Sequence, residues 1–135
     1  MATAAKILIL GGLGSLLASF GMALVLAQER TKDPEADQTR LLQVHIVSLW
    51  EGFMLFGLVW AVVLSDLSAG VENLAAVLLV TAAAIQIVSN TLAWRQRLVN
   101  LFAPPRGFIY KLGATQAVLA LVGLVILIIG VVGGL

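Results

Sequence analysis

The chain has no cysteine, only three prolines, one tyrosine and one histidine among its 135 residues. Without cysteine there are no disulfides, thiolate metal sites, iron–sulfur clusters or covalent haem attachment through a C-x-x-C-H motif. A single histidine argues against mononuclear zinc, which usually takes three or four His, Cys or carboxylate ligands. Charge is scarce as well: charged residues make up 11% of the chain and leave a net charge of +1. The basic residues fall in connections, not in a stripe interleaved with aromatics, so nucleic acid is not an expected partner.

What the chain has instead is hydrocarbon. Apolar residues reach 61%, against roughly 45–50% even with glycine counted in soluble domains. Nearly uncharged stretches cover 7–27, 41–65, 73–94 and 112–135. Each approaches the ~20 residues that cross a ~30 Å hydrocarbon core as a helix. The expected fold class is all-α, an integral membrane four-helix bundle in the lipid bilayer. It forms one domain with spans near 7–27, 41–65, 73–98 and 108–134, since the connections are too short for another. Lys6 ahead of the first run and Val25-Leu26-Ala27 at its end loosely imitate a secretion signal. The run is longer than the ~7–15 residues of a signal core and carries packing glycines, so it is read as a span.

Orientation follows from the connections. Arg30, Lys32 and Arg40 lie in 28–40, Arg95, Arg97, Arg106 and Lys111 in 95–111, and no basic residue in 65–72. The positive-inside rule puts 28–40 and 95–111 in the cytoplasm and both termini outside, with only Lys6 opposed. Thr39 is a candidate helix cap after Pro34. Pro104-Pro105 cannot continue a helix, so the third helix is expected to overshoot the bilayer and stop near Asn100. Gly14/Ala18 and Ser15/Ser19 on the first helix, and Gly113/Ala117 on the fourth, are small-xxx-small pairs suited to close packing.

Against this background the intramembrane polar residues form a layer. His45 lies five residues from Arg40, Asn90 five from Arg95 and Gln116 five from Lys111, while Glu51 and Gln86 sit deeper, near the midplane. Ionisable groups in hydrocarbon persist where they meet partners, water or a cofactor. Ser48 and Gly52 follow His45 at i+3 and i+7, forming one face with room beside the imidazole. A flat macrocycle ligated through a histidine needs such a clearing, and haem needs only one protein ligand. Glu51 stands about 120° around the helix from His45, toward another wall. The structural alternative is that His45 hydrogen-bonds across helices and that Glu51 pairs with Gln86 or Asn90.

With His45 followed six positions later by Glu51-Gly52, then Ser89-Asn90 and Arg106-Gly107, the chain resembles the styrene oxide isomerase family. These are small four-span membrane proteins with His, five residues, then Asn-Gly on the second helix. The resemblance implies a homotrimer, expected in a bacterial inner membrane, that binds haem b with His45 as axial iron ligand and Ser48 and Gly52 beside it. It also implies that Glu51, Gln86, Asn90 and Trp94 surround a small apolar epoxide. Ferric iron would then act as a Lewis acid that opens the ring toward an aldehyde. The chain departs from the family at three places: Glu51 replaces its Asn, Gln86 its acidic residue and Trp94 its Tyr. An indole donates a hydrogen bond but cannot accept one. Haem binding is therefore implied by a residue that matches, and isomerisation by residues that do not.

Arg40, His45 and Glu51 also resemble the second helix of the membrane-associated eicosanoid and glutathione metabolism proteins, although the His-to-Glu spacing is one residue too long. That resemblance implies a glutathione-dependent transferase-like trimer without haem. A third reading is a non-enzymatic interaction subunit, built on the packing-rich first and fourth helices.

Overall fold

The computed structural model describes residues 1–35, 37–98, 100 and 107–134. Four helices account for almost all of them: α1 (Thr3–Lys32), α2 (Thr39–Val63), α3 (Ala69–Arg95) and α4 (Phe108–Gly134). All four are long and apolar enough to cross a membrane. The protein is an all-α, four-helix integral membrane protein.

The helix ends differ from the apolar stretches for local reasons. α1 runs five residues past the end of its apolar run, because nothing between Ala27 and Pro34 breaks a helix. Arg30 and Lys32 in its last turn suit the negative end of the helix dipole, and Lys32 pairs with Glu29 at 3.2 Å. At the start of α2, Thr39 is the first helical residue and not its cap. The capping bond comes from Asp37, whose Oδ1 accepts the Thr39 N–H at 2.9 Å. Hydrogen bonds from the Thr39 hydroxyl and then its N–H hold the Asp37 carboxyl below the ordinary carboxylate range.

α3 stops at Arg95, short of the limit near Asn100 expected from the prolines. Arg97 takes a left-handed φ of 53°. The Leu98 N–H donates to Ala93 O at 3.0 Å and the Arg97 N–H to Trp94 O at 3.0 Å. This pair of bonds is a Schellman ending with arginine where glycine is usual. The backbone turns before any proline is reached. Pro104, Pro105 and Arg106 lie outside the described residues.

α1 packs antiparallel to α2, and α3 antiparallel to α4; α3 also lies against α1 and α2, and α4 reaches α2, while among the described residues the backbones of α1 and α4 make no close approach. The centre is built from small residues. Ala4, Ala5, Ala75, Ala76 and Ala83 surround Leu8, Leu55, Leu79 and Leu127. Large apolar side chains such as Leu17, Phe20, Trp50, Trp60 and Ile129 point outward. Lipid imposes no cost on that surface, so close backbone approach and shape decide which faces meet.

One close crossing pairs Gly12 of α1 with Gly52 of α2. A Cβ on Gly52 would stand 2.9 Å from Leu16 Cγ and 3.1 Å from Gly12 O, and one on Gly12 would stand 3.1 Å from Gly52 O. Neither carbonyl can move without moving its helix. Seven residues along each chain the same interface brings Ser19 to His45.

Candidate functional site

The polar layer separates into distinct groups. His45 is half-buried and is held by α1. Its Nδ1 lies 2.9 Å from the backbone oxygen of Ser19 and 2.9 Å from Ser19 Oγ. A carbonyl can only accept, so Nδ1 carries the proton and donates it there. The Ser19 hydroxyl donates in turn to His45 O at 3.0 Å. The two residues thus bracket each other across the α1–α2 crossing. Nε2, left with its lone pair, makes no hydrogen bond among the described residues.

This anchoring bears on two sequence expectations. His45 does bond across helices, as the structural alternative had it, yet that bond uses only Nδ1. A protonated Nδ1 on a backbone carbonyl is also the usual support for a histidine that ligates metal through Nε2. One free imidazole nitrogen fits an axial haem ligand. Among the described residues there is no group of three His, Cys, Asp or Glu side chains that could hold a metal ion.

The clearing expected beside the imidazole is filled. Ser48 is fully buried and its Oγ donates back to Val44 O at 2.8 Å. Gly52 lies against Gly12 and Leu16. A bare face on a membrane helix attracts a second helix as readily as a ligand, and here α1 occupies it. Ser48 and Gly52 are packing residues of the α1–α2 interface. A macrocycle held by His45 would be held through Nε2, and Ser48 and Gly52 would not line it.

Among the described residues Glu51, Gln86, Asn90 and Trp94 do not line one common cavity. Glu51 is half-buried near mid-span and makes no hydrogen bond among the described residues, to Gln86 and Asn90 included. Trp94 instead lines a hollow of about 1010 Å³ at the charged end of the bundle, with Asp33, Asp37, Arg40, Arg95 and Arg97. Gln86 and Asn90 do come together, in a cavity of about 350 Å³ between α3 and α4. Two residues missed from the sequence belong to these groups. Ser19 reads as a packing residue because nothing local links it to a histidine 26 positions away. Tyr110, the only tyrosine, lines the α3–α4 cavity; its place opposite Asn90 becomes visible only when the two helices are aligned antiparallel.

No family model, no curated protein and no solved structure matches the chain.

Proposed function

We propose that this is a haem b-binding membrane protein of the styrene oxide isomerase type, with His45 Nε2 as the axial ligand to iron. One observation carries the reading: Nδ1 is committed to the Ser19 carbonyl, which orients the ring and reserves Nε2. Bound ferric haem supplies a Lewis acid for an epoxide oxygen. The chain's own contribution at this site is to fix the imidazole tautomer and its angle through α1. Glu51, Gln86 and Trp94 are the positions where the chain departs from the family, so the proposal centres on haem binding. Isomerisation of an aryl epoxide to an aldehyde is the activity proposed for the loaded protein.

The assembly is a homotrimer in a bacterial inner membrane, with 28–40 and 95–111 in the cytoplasm and both termini outside. Glu51 supports association, because a carboxyl near mid-bilayer with no partner in its own protomer is met by a neighbour or a polar cavity. Trp50, Phe53 and Met54 beside it are exposed on the single protomer. The seven basic residues of the two connections support the orientation.

The test is the absorption spectrum of detergent-purified protein after haem reconstitution. A Soret band shifted from that of free haem, lost in His45→Ala and partly restored by added imidazole, is the expected result. Unchanged haem uptake by His45→Ala, or none by the natural sequence, overturns the reading. Native mass spectrometry checks the trimer, and a monomer in mild detergent counts against it.

A further inference from the structure

The cavity between α3 and α4 is independent of His45 and has a chemistry of its own. Gln86, Ser89 and Asn90 line it from α3, and Tyr110, Gly113 and Gln116 from α4. Ser89 Oγ and Asn90 Nδ2 both donate to Gln86 O at 3.0 Å. That leaves the Asn90 side-chain oxygen and the side-chain amides of Gln86 and Gln116 with no hydrogen bond among the described residues. Asn90 is only 8% exposed, so its oxygen has little access to anything beyond the cavity. Amide groups at this depth in a hydrocarbon layer are too costly to leave unmet.

The cavity also stays open where packing could have closed it. A Cβ on Gly113 would meet nothing within 4 Å, whereas ten residues further along α4 a Cβ on Gly123 would stand 2.8 Å from Leu79 Cγ and 3.1 Å from Ala75 O. The helices meet tightly at one end of their contact and stand apart at the other. Ala114 and Ala117 at the rim are exposed, so the cavity opens onto the protomer's outer surface. Among the described residues no charged side chain lines it.

From this geometry we infer that the α3–α4 cavity is a binding site for a small neutral amphiphile bearing a hydroxyl or carbonyl, taken up sideways from the bilayer. The amides offer both donors and acceptors to an uncharged head group, and Ile109, Ala114 and Ala117 receive an apolar body. An anion finds no cation among the described lining residues, and a pure hydrocarbon leaves the amides unmet. The site does not depend on haem.

Photolabelling of the full-length protein in nanodiscs with a diazirine-bearing octanol tests this. Label is expected on peptides from α3 and α4 around Asn90 and Gly113. Excess octanol should reduce it at least fivefold, and an equal concentration of octanoate or octane should have little effect. Gly113→Leu, which fills the cavity, and Gln116→Leu, which keeps its shape, should each lower the label at least fivefold in protein that keeps its gel-filtration profile. His45→Ala should leave labelling unchanged, so failure of the haem reading and failure of this one are distinguishable. Label spread evenly over all four helices, equal competition by octane or octanoate, or indifference to Gln116→Leu overturns the site. So does a Gly113→Cys variant that cross-links to a second copy across the cavity, because a neighbouring chain then fills it.

Discussion

The two hairpins solve the same problem in opposite ways. In α1–α2, glycine faces glycine and the polar residues of the interface are spent on one another: Ser19 with His45, and Ser48 with its own helix. In α3–α4, the tight contact at Gly123 gives way to an open one at Gly113, opposite Gln86 and Asn90. The difference lies in what faces the small residue. A glycine admits a neighbouring backbone where a small residue faces it, as Gly12 faces Gly52 and Gly123 faces Ala75. Opposite long amides it makes a cavity.

The largest expected effect breaks the closed hairpin. Gly52→Leu forces a side chain into Leu16 and the Gly12 carbonyl and should destabilise the fold by about 3 kcal/mol or abolish it, read as unfolding in mixed micelles. The matching change in the open hairpin, Gly113→Ala, meets no atom and should stabilise α4 by about 0.5 kcal/mol. Equal effects at the two glycines would remove the contrast.

Arg97→Gly should come next, stabilising by about 1 kcal/mol because a left-handed residue without Cβ is relieved of strain. Arg97 is exposed and loses no packing, so a destabilised variant in thermal melts would assign its guanidinium a role at the charged end of the bundle. Ser19→Ala removes one inter-helix hydrogen bond but keeps the carbonyl that holds Nδ1; a loss of about 0.6 kcal/mol is expected, with the haem spectrum retained. A lost spectrum would make the hydroxyl, and not the carbonyl, the anchor of the imidazole.

The smallest effect concerns the α1–α2 connection. Because the Asp37 carboxyl is held below its ordinary range by Thr39, its contribution is present above the unfolded-state pKa and is lost as pH falls through the depressed folded value. The protection factor of the Thr39 amide, its exchange rate relative to that of an unstructured amide at the same pH, should therefore fall on acidification in the natural sequence and stay flat in Asp37→Ala. Asp37 is fully exposed to solvent, so the change should stay local to the start of α2.

The number of helices and their rough extents were legible because they depend on local quantities: run length, hydropathy and rise per residue. The ends were less so. Arg97 has no compositional signal for a left-handed turn, and the prolines beyond it looked like the obvious stop. Ser48 and Gly52 form a bare face, but a bare face does not announce its occupant. The alternative pairing of Glu51 with Gln86 or Asn90 is not formed among the described residues.

By itself the sequence determined that this chain is a four-helix membrane protein with one histidine and one mid-span carboxyl, since transfer free energy depends on composition alone. Only the tertiary structure decided that Ser19 orients His45, that α1 fills the clearing on α2, and that Gln86 and Asn90 face α4. Those outcomes depend on the register of one helix against another. In lipid that register is set by backbone approach and paired polar groups, terms that no single helix contains.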